Sequence, residues 1–106
     1  GEEKQSSAEV MPEPKDGLAA FLTYIQDNLN YPASAKDAGV EGKVFVEFTV
    51  KKDGSLADIL IKKGIDEALD AEALRVMQNS PAWKPGNKDG EPVNMKMVLP
   101  VTFKLS

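Results

Sequence analysis

From Leu18 the apolar positions recur with helical spacing. Leu18, Phe21, Leu22, Ile25 and Leu29 stand at i, i+3, i+4, i+7 and i+11, which predicts a helix over about residues 17–29 with Asp16 as its N-cap. Pro32 stops that helix and opens a second, short one over residues 33–38, closed by Gly39. From Lys43 the period changes to two. Val44, Val46, Phe48 and Val50 share one face of a strand, and Phe45, Glu47 and Thr49 share the other. The turn Lys52-Asp53-Gly54-Ser55 follows, with Asp-Gly supplying the positive φ of a tight hairpin. A return strand over residues 56–63 is expected to put Ala57, Ile59 and Ile61 on the inner face. Residues 66–79 return to the helical period, with Ala68 or Leu69, Ala73, Val76 and Met77 as the buried stripe. Asp66, Glu67 and Asp70 lie near that helix's start, where its dipole favours anions. Pro81 ends it. Residues 82–92, with Trp83, Pro85, Gly86 and Gly90, read as a loop. A last strand is predicted over residues 93–105, where Val93, Met95, Met97, Leu99, Val101, Phe103 and Leu105 alternate without a break.

One strand face is strongly apolar, so the helices should cover it. The hairpin makes strands one and two antiparallel, and the intervening helix brings strand three in parallel to strand two. A purely antiparallel sheet then requires strand one at its centre. The expected architecture is α+β: a three-stranded antiparallel sheet of order 2-1-3 with helices packed on one face. Pro100 suits the edge position this gives strand three, and Lys96, Pro100 and Lys104 blunt that edge only in part. Phe21, Ile25, Val46, Phe48, Ile61, Leu69, Val76 and Met97 form the expected core. Phe45, Leu60 and Val98 fall on the opposite sheet face, either covered by Val10 and Met11 or open to contacts in a weak homodimer. Residues 1–15, GEEKQSSAEVMPEPK, read as a flexible acidic linker or arm, and residues 16–106 as the domain.

Composition narrows the function. The chain of 106 residues, 42% hydrophobic, is enough for one domain with its own core. It has no cysteine and no histidine, which removes thiol chemistry, the usual zinc sites and His-based acid–base catalysis. The net charge is −4, and most of the excess lies at the front, where Glu2, Glu3, Glu9, Glu13 and Asp16 face only Lys4 and Lys15. Nucleic acid is therefore a poor partner. No apolar run approaches the ~20 residues of a membrane span, and no signal peptide is present. Gly1 where an initiator Met is expected suggests a piece of a longer protein that carries its anchor or signal elsewhere.

The candidate chemical groups read as structural. Asp66, Glu67, Asp70 and Glu72 are helix-start anions rather than cation ligands. Asp53-Gly54 lacks the alternating oxygen ligands of a calcium loop. Gly39-Val40-Glu41-Gly42 leads into a strand, whereas phosphate loops open a helix. Tyr31 and Trp83 fit packing better than ligand stacking. No nucleophile, base and orienter come together, so no enzyme, no cofactor and no metal site is expected.

The motifs themselves resemble a known family. Tyr31-Pro32 with Ala35, Glu41-Gly42-Lys43-Val44 with Val46, Phe48 and Val50, and Asp53-Gly54 are similar to the opening of the TonB C-terminal domain family. Leu69-Asp70 with Glu72-Ala73, Pro81 with Trp83 and Pro85-Gly86, Gly90 with Pro92-Val93, and Pro100-Val101 with Phe103 continue the match. The resemblance covers about residues 17–105. It implies the same helices-on-three-strands fold and a periplasmic domain of an inner-membrane-anchored energy transducer, acted on by an ExbB/ExbD-type motor complex. Such domains grip the TonB box of outer-membrane TonB-dependent transporters, which adds as a strand to the edge of the last strand. Carried over residue by residue, the resemblance points to Asn28, Leu29, Asn30, Tyr31 and Pro32, and to Asn94, Lys96, Val98, Pro100, Thr102 and Lys104. Asn28 stands where some members carry Gln. Domains of this family also occur in membrane receptors, so an interaction or sensory domain is the alternative use of the same fold.

Overall fold

The computed structural model describes residues 9–105. Its elements in chain order are β1 (Glu9–Val10), β2 (Glu13–Pro14), α1 (Leu18–Asn28), α2 (Ala33–Asp37), β3 (Gly42–Val50), β4 (Leu56–Lys63), α3 (Glu67–Gln78), β5 (Trp83–Lys84), β6 (Gly86–Lys88), β7 (Glu91–Val93) and β8 (Met95–Phe103). The principal sheet has the order β4-β3-β8 and is antiparallel throughout. This is the 2-1-3 order deduced from the connections.

β3 is central because its alternation is the strongest in the chain. Val44, Val46, Phe48 and Val50 are completely buried. They meet Val101, Leu99, Met97 and Met95 of β8 across an unbroken register from Gly42–Phe103 to Val50–Met95. Phe21 and Ile25 of α1, and Leu69, Ala73, Val76 and Met77 of α3, close the core over them. Of the expected core residues, Ile61 and Met97 are only partly buried and pack against its margin. Trp83 is buried and stands edge-on to both Phe21 and Phe48, at 5.2 Å between centroids in each case. Its indole N–H donates to Ser80 Oγ at 3.2 Å. The packing reading of Trp83 holds.

Residues 51–55 connect β3 to β4 as a tight turn. The Gly54 N–H donates to the Lys51 carbonyl at 2.8 Å, and the Lys51 N–H to the Ser55 carbonyl at 2.9 Å. Gly54 has φ +87°, and a Cβ there would stand 2.2 Å from the Trp83 carbonyl oxygen. Glycine is thus required twice, for the left-handed backbone and for the close approach.

β4 departs from the expected pattern. Its register against β3 slips twice, between Val46–Ile61 and Phe45–Lys63 and again between Glu47–Leu60 and Thr49–Ala57. The extra residues are Lys62 and Asp58, and Asp58 sits at φ 51°, the backbone of a bulge. The bulge at Asp58 inverts the alternation beyond it. Leu56 joins Ile59 and Ile61 against the core, whereas Ala57 pairs with Thr49 and lies on the opposite face. The expectation that Ala57 faces inward is therefore corrected.

A further correction concerns the start of α1. Asp16 does not cap α1. The chain turns from Pro14 to Gly17, whose N–H donates to the Pro14 carbonyl at 3.0 Å, and Gly17 with φ +93° becomes the N-cap. By contrast, Asp66 caps α3, its carboxylate accepting the Leu69 N–H at 2.9 Å.

The segment expected as a loop is mostly strand. β6 and β7 form a hairpin closed by Asp89 (φ 54°) and Gly90 (φ 84°), the two positive φ angles of a primed turn. β1 adds to β6, and β2 pairs with β5. Part of the expected loose arm is thereby held, with Pro12 and Pro14 buried. Residues 1–8 of that arm lie outside the described residues. Val10 and Met11 are both more than half exposed, and Leu60 and Val98 are exposed too, so Val10 and Met11 do not cover the far sheet face.

Candidate functional site

The open edges of the principal sheet belong to β4 and β8. The β4 edge carries the two bulges, which bend and twist a strand away from further pairing. The β8 edge has none over its nine-residue length.

Backbone direction along β8 follows from the hairpin. Lys51 hydrogen-bonds toward the β4 side, and strand residues alternate the side to which both N–H and C=O point. Phe45, Glu47 and Thr49 therefore also point toward β4. Their partners in β8, Pro100, Val98 and Lys96, present their N–H and C=O groups outward, as does Thr102 opposite Lys43. Pro100, which has no N–H, stands at an outward position and costs the ladder to β3 nothing. The side chains of these four residues lie on the far sheet face. Leu99, Val101 and Phe103 point to the helices.

Beside this edge lies a mainly apolar groove of about 780 Å³. α1 lines it with Leu18, Leu22 and Gln26, and β8 with Leu99 and Thr102. The groove has a geometric cause. Two helices side by side need about 20 Å of width, while the axes of three strands span only about 10 Å. α3 packs against β3 and β4, so α1 overhangs the β8 edge. Leu18 and Leu22 are consequently 53% and 48% exposed, although they belong to the same apolar stripe as buried Phe21 and Ile25.

The residues singled out in the sequence divide into those that share this groove and those that do not. Leu29, Tyr31, Pro100, Thr102 and Lys104 all line it. The Tyr31 ring stands edge-on to Phe103 at 5.6 Å, and its hydroxyl donates to the Val40 carbonyl. Burial first, and then the nearby Glu41 and Asp66 carboxylates, raise the Tyr31 hydroxyl above the ordinary tyrosine pKa. Lys96 and Val98 flank the edge on the far face, where Glu47 holds Lys96 at 3.8 Å and Lys62 at 3.6 Å. Asn94 precedes β8, and its Oδ1 accepts the Lys52 N–H at 2.9 Å at the hairpin end of the sheet. The Asn28 side chain donates to the Tyr24 carbonyl at 2.8 Å within its own helix. Pro32 caps α2.

Asn28 and Asn30 are held by a pair that sequence reasoning read differently. Glu72 and Arg75 form a two-pronged ion pair on α3, with Nε to Oε1 at 2.8 Å and Nη2 to Oε2 at 2.7 Å. Arg75 Nη2 also donates to the Asn28 carbonyl at 2.6 Å, and the Asn30 N–H donates to Glu72 Oε2 at 2.6 Å. Glu72 is thus a clamp on the α1–α2 connection, not an anion serving the helix dipole. The hydrogen bonds from Arg75 hold its carboxyl below the usual glutamate range, against the opposing effect of burial.

Among the described residues no group of three or more potential metal-ligating side chains occurs, and no helix is long and apolar enough to cross a membrane.

The family model of the Gram-negative bacterial TonB protein C-terminal matches residues 27–105. Protein TonB of Helicobacter pylori strain J99 is 33% identical over 89 residues, covering 83% of the chain. Protein TonB of Vibrio cholerae El Tor is 35% identical over 87 residues, covering 79%. The chain spans only about a third of these relatives, 30% and 34% of their lengths. A solution structure of the Helicobacter pylori TonB C-terminal domain superposes with a TM-score of 0.65 at 28% identity, covering 82% of this chain and 91% of that one. The Pseudomonas aeruginosa TonB C-terminal domain gives 0.54 at 27% identity, covering 72% and 77%.

Proposed function

The chain belongs to the TonB protein C-terminal family, and from that premise we propose that it is the partner-binding domain of a TonB-type energy transducer. It is a binding module, not an enzyme. In the full-length protein it stands in the periplasm, tethered to an inner-membrane anchor on which an ExbB/ExbD-type motor complex acts. It grips the TonB box of an outer-membrane transporter and so couples the inner-membrane proton motive force to transport.

The observation that carries this reading is the unbulged outer edge of β8, with the backbone groups of Lys96, Val98, Pro100 and Thr102 turned outward. An extended segment adds there by main-chain pairing. Three N–H groups and four carbonyls are available, because Pro100 supplies only its carbonyl. At roughly 1 kcal/mol net per hydrogen bond, offset by ordering a flexible segment and supplemented by some apolar contact, affinity is no tighter than the order of μM. A contact of that strength lets the domain release its transporter after each pull.

The test is an NMR titration with peptides from the N-termini of TonB-dependent transporters. Amide shifts are expected to cluster on residues 94–104 and 28–31. Shifts confined to the Lys62 and Lys63 edge, or no shift with any cognate box at about millimolar concentration, overturn the reading.

A further inference from the structure

We infer that the groove under α1 reads the side chains of the incoming strand, selecting segments with large apolar residues at every second position. The inference rests on strand addition to β8 and names what that site prefers.

A strand paired to β8 continues the pleat of the sheet. Its side chains alternate between the two faces and fall in the same rows as those of their β8 neighbours. One set therefore lies beside Leu99, Val101 and Phe103, on the helix side. That is where α1 overhangs the edge, with Leu18 and Leu22 about half exposed above it. Apolar side chains at those positions fill the groove and bury both leucines. The other set lies beside Lys96, Val98, Pro100 and Thr102 on the open face, where nothing encloses it. Main-chain pairing is indifferent to sequence, so discrimination falls to the enclosed set alone.

The occupant is an extended polypeptide rather than a compact ligand because one full wall of the groove is the unpaired edge itself. Leu99, Pro100, Thr102 and Lys104 all line it. Any occupant lying along that wall meets a row of outward N–H and C=O groups that only another backbone satisfies in full. Two helices over three strands leave space for one more strand, and a fourth strand brings the sheet out under α1.

The experiment uses two synthetic eight-residue peptides of identical composition, four of Val and Ile with four of Thr and Glu. In one the apolar residues alternate; in the other they are clustered at one end. Clustering leaves about half of the apolar side chains on the helix side. The alternated peptide is expected to bind about tenfold or more tightly, as loss of two buried aliphatic side chains implies, and to show NOEs from its methyl groups to Leu18 and Leu22. Leu22→Gln, at an exposed helix position, should weaken the alternated peptide toward the clustered one. Equal binding of both peptides along β8, untouched by Leu22→Gln, overturns the selection by side chain and leaves the edge reading standing. If neither peptide perturbs the β8 amides, both fall.

Discussion

Glu72 offers the sharpest test of how the connection between α1 and α2 is held. Its carboxylate accepts the Asn30 N–H at 2.6 Å and two bonds from Arg75 at 2.7 and 2.8 Å, and Arg75 in turn donates to the Asn28 carbonyl at 2.6 Å. The Glu72 side chain is only 10% exposed, but that of Arg75 is 45% exposed. The ion pair alone is therefore solvent-screened and contributes little. The Asn30 bond to a charged, mostly buried oxygen adds on the order of 1 kcal/mol. Glu72→Gln keeps the shape and removes the charge, so urea unfolding at neutral pH should show a loss of about 1–2 kcal/mol. The pH dependence follows from the lowered Glu72 pKa. A carboxylate depressed in the folded state stabilises fully above its unfolded value and loses that stabilisation as pH falls through the folded one. The gap between wild type and Glu72→Gln should thus be open at pH 7 and close on acidification below the ordinary glutamate range. Hydrogen exchange adds a local reading, because the Asn30 amide should lose protection in the variant. A gap of constant size across that range, or unchanged Asn30 exchange, would refute the clamp.

Other expectations rest on single contacts. Phe48→Ala removes a ring with no exposed surface and its edge contact with Trp83, and should cost about 3–5 kcal/mol in chemical denaturation; an unchanged midpoint contradicts the core. Gly54→Ala places a methyl group 2.2 Å from the Trp83 carbonyl oxygen at φ +87°. It should destabilise by at least about 1–3 kcal/mol and shift the emission of the sole tryptophan, and normal stability contradicts the close approach. Pro100→Ala restores an outward N–H without touching the ladder to β3. It should tighten transporter-peptide binding by roughly threefold to tenfold, as one added hydrogen bond implies, and isothermal titration showing no gain removes Pro100 from the docking edge.

Most of the fold was legible because local pattern and topology agreed. The unbroken alternation of Val44, Val46, Phe48 and Val50 could only be a central strand, and the Asp53-Gly54 turn fixed its partner. What stayed hidden was backbone irregularity. Nothing in the residues 56–63 marks Asp58 as left-handed, and a single bulge there moves Ala57 to the opposite face and brings Leu56 inward. The β6–β7 hairpin did have a signal, Asp89-Gly90, but its strands are only three residues long and carry little apolar alternation. Of the candidate site, Leu29, Tyr31 and Thr102 do line one groove with Pro100, whereas the Asn28 side chain bonds within its own helix and that of Asn94 reaches across to the Lys52 N–H. Glu72 was misread because the groups that it and Arg75 hold, the Asn30 N–H and the Asn28 carbonyl, lie more than forty residues away in sequence, beyond the reach of any helical periodicity.

The same limit hid the groove and shows why it exists. Four apolar residues of α1 and Leu29 just beyond it form one stripe in the sequence, and a stripe read alone predicts that all five are buried. Burial depends on what lies opposite. Phe21 and Ile25 meet the core, but Leu18 and Leu22 extend past the last strand because three strands are narrower than two helices. A sheet could remove that mismatch by adding a permanent fourth strand or by making α1 more polar. Here the helix stays apolar and the neighbouring edge stays straight, while the opposite edge at β4 is bulged twice. The domain is asymmetric in what it leaves unsatisfied: one edge is protected against pairing, and the other keeps both its hydrogen-bonding groups and its apolar overhang. An exposed edge beside exposed leucines is a hazard for a domain that never pairs, but it is the expected surface of one that takes up and releases a strand from another protein.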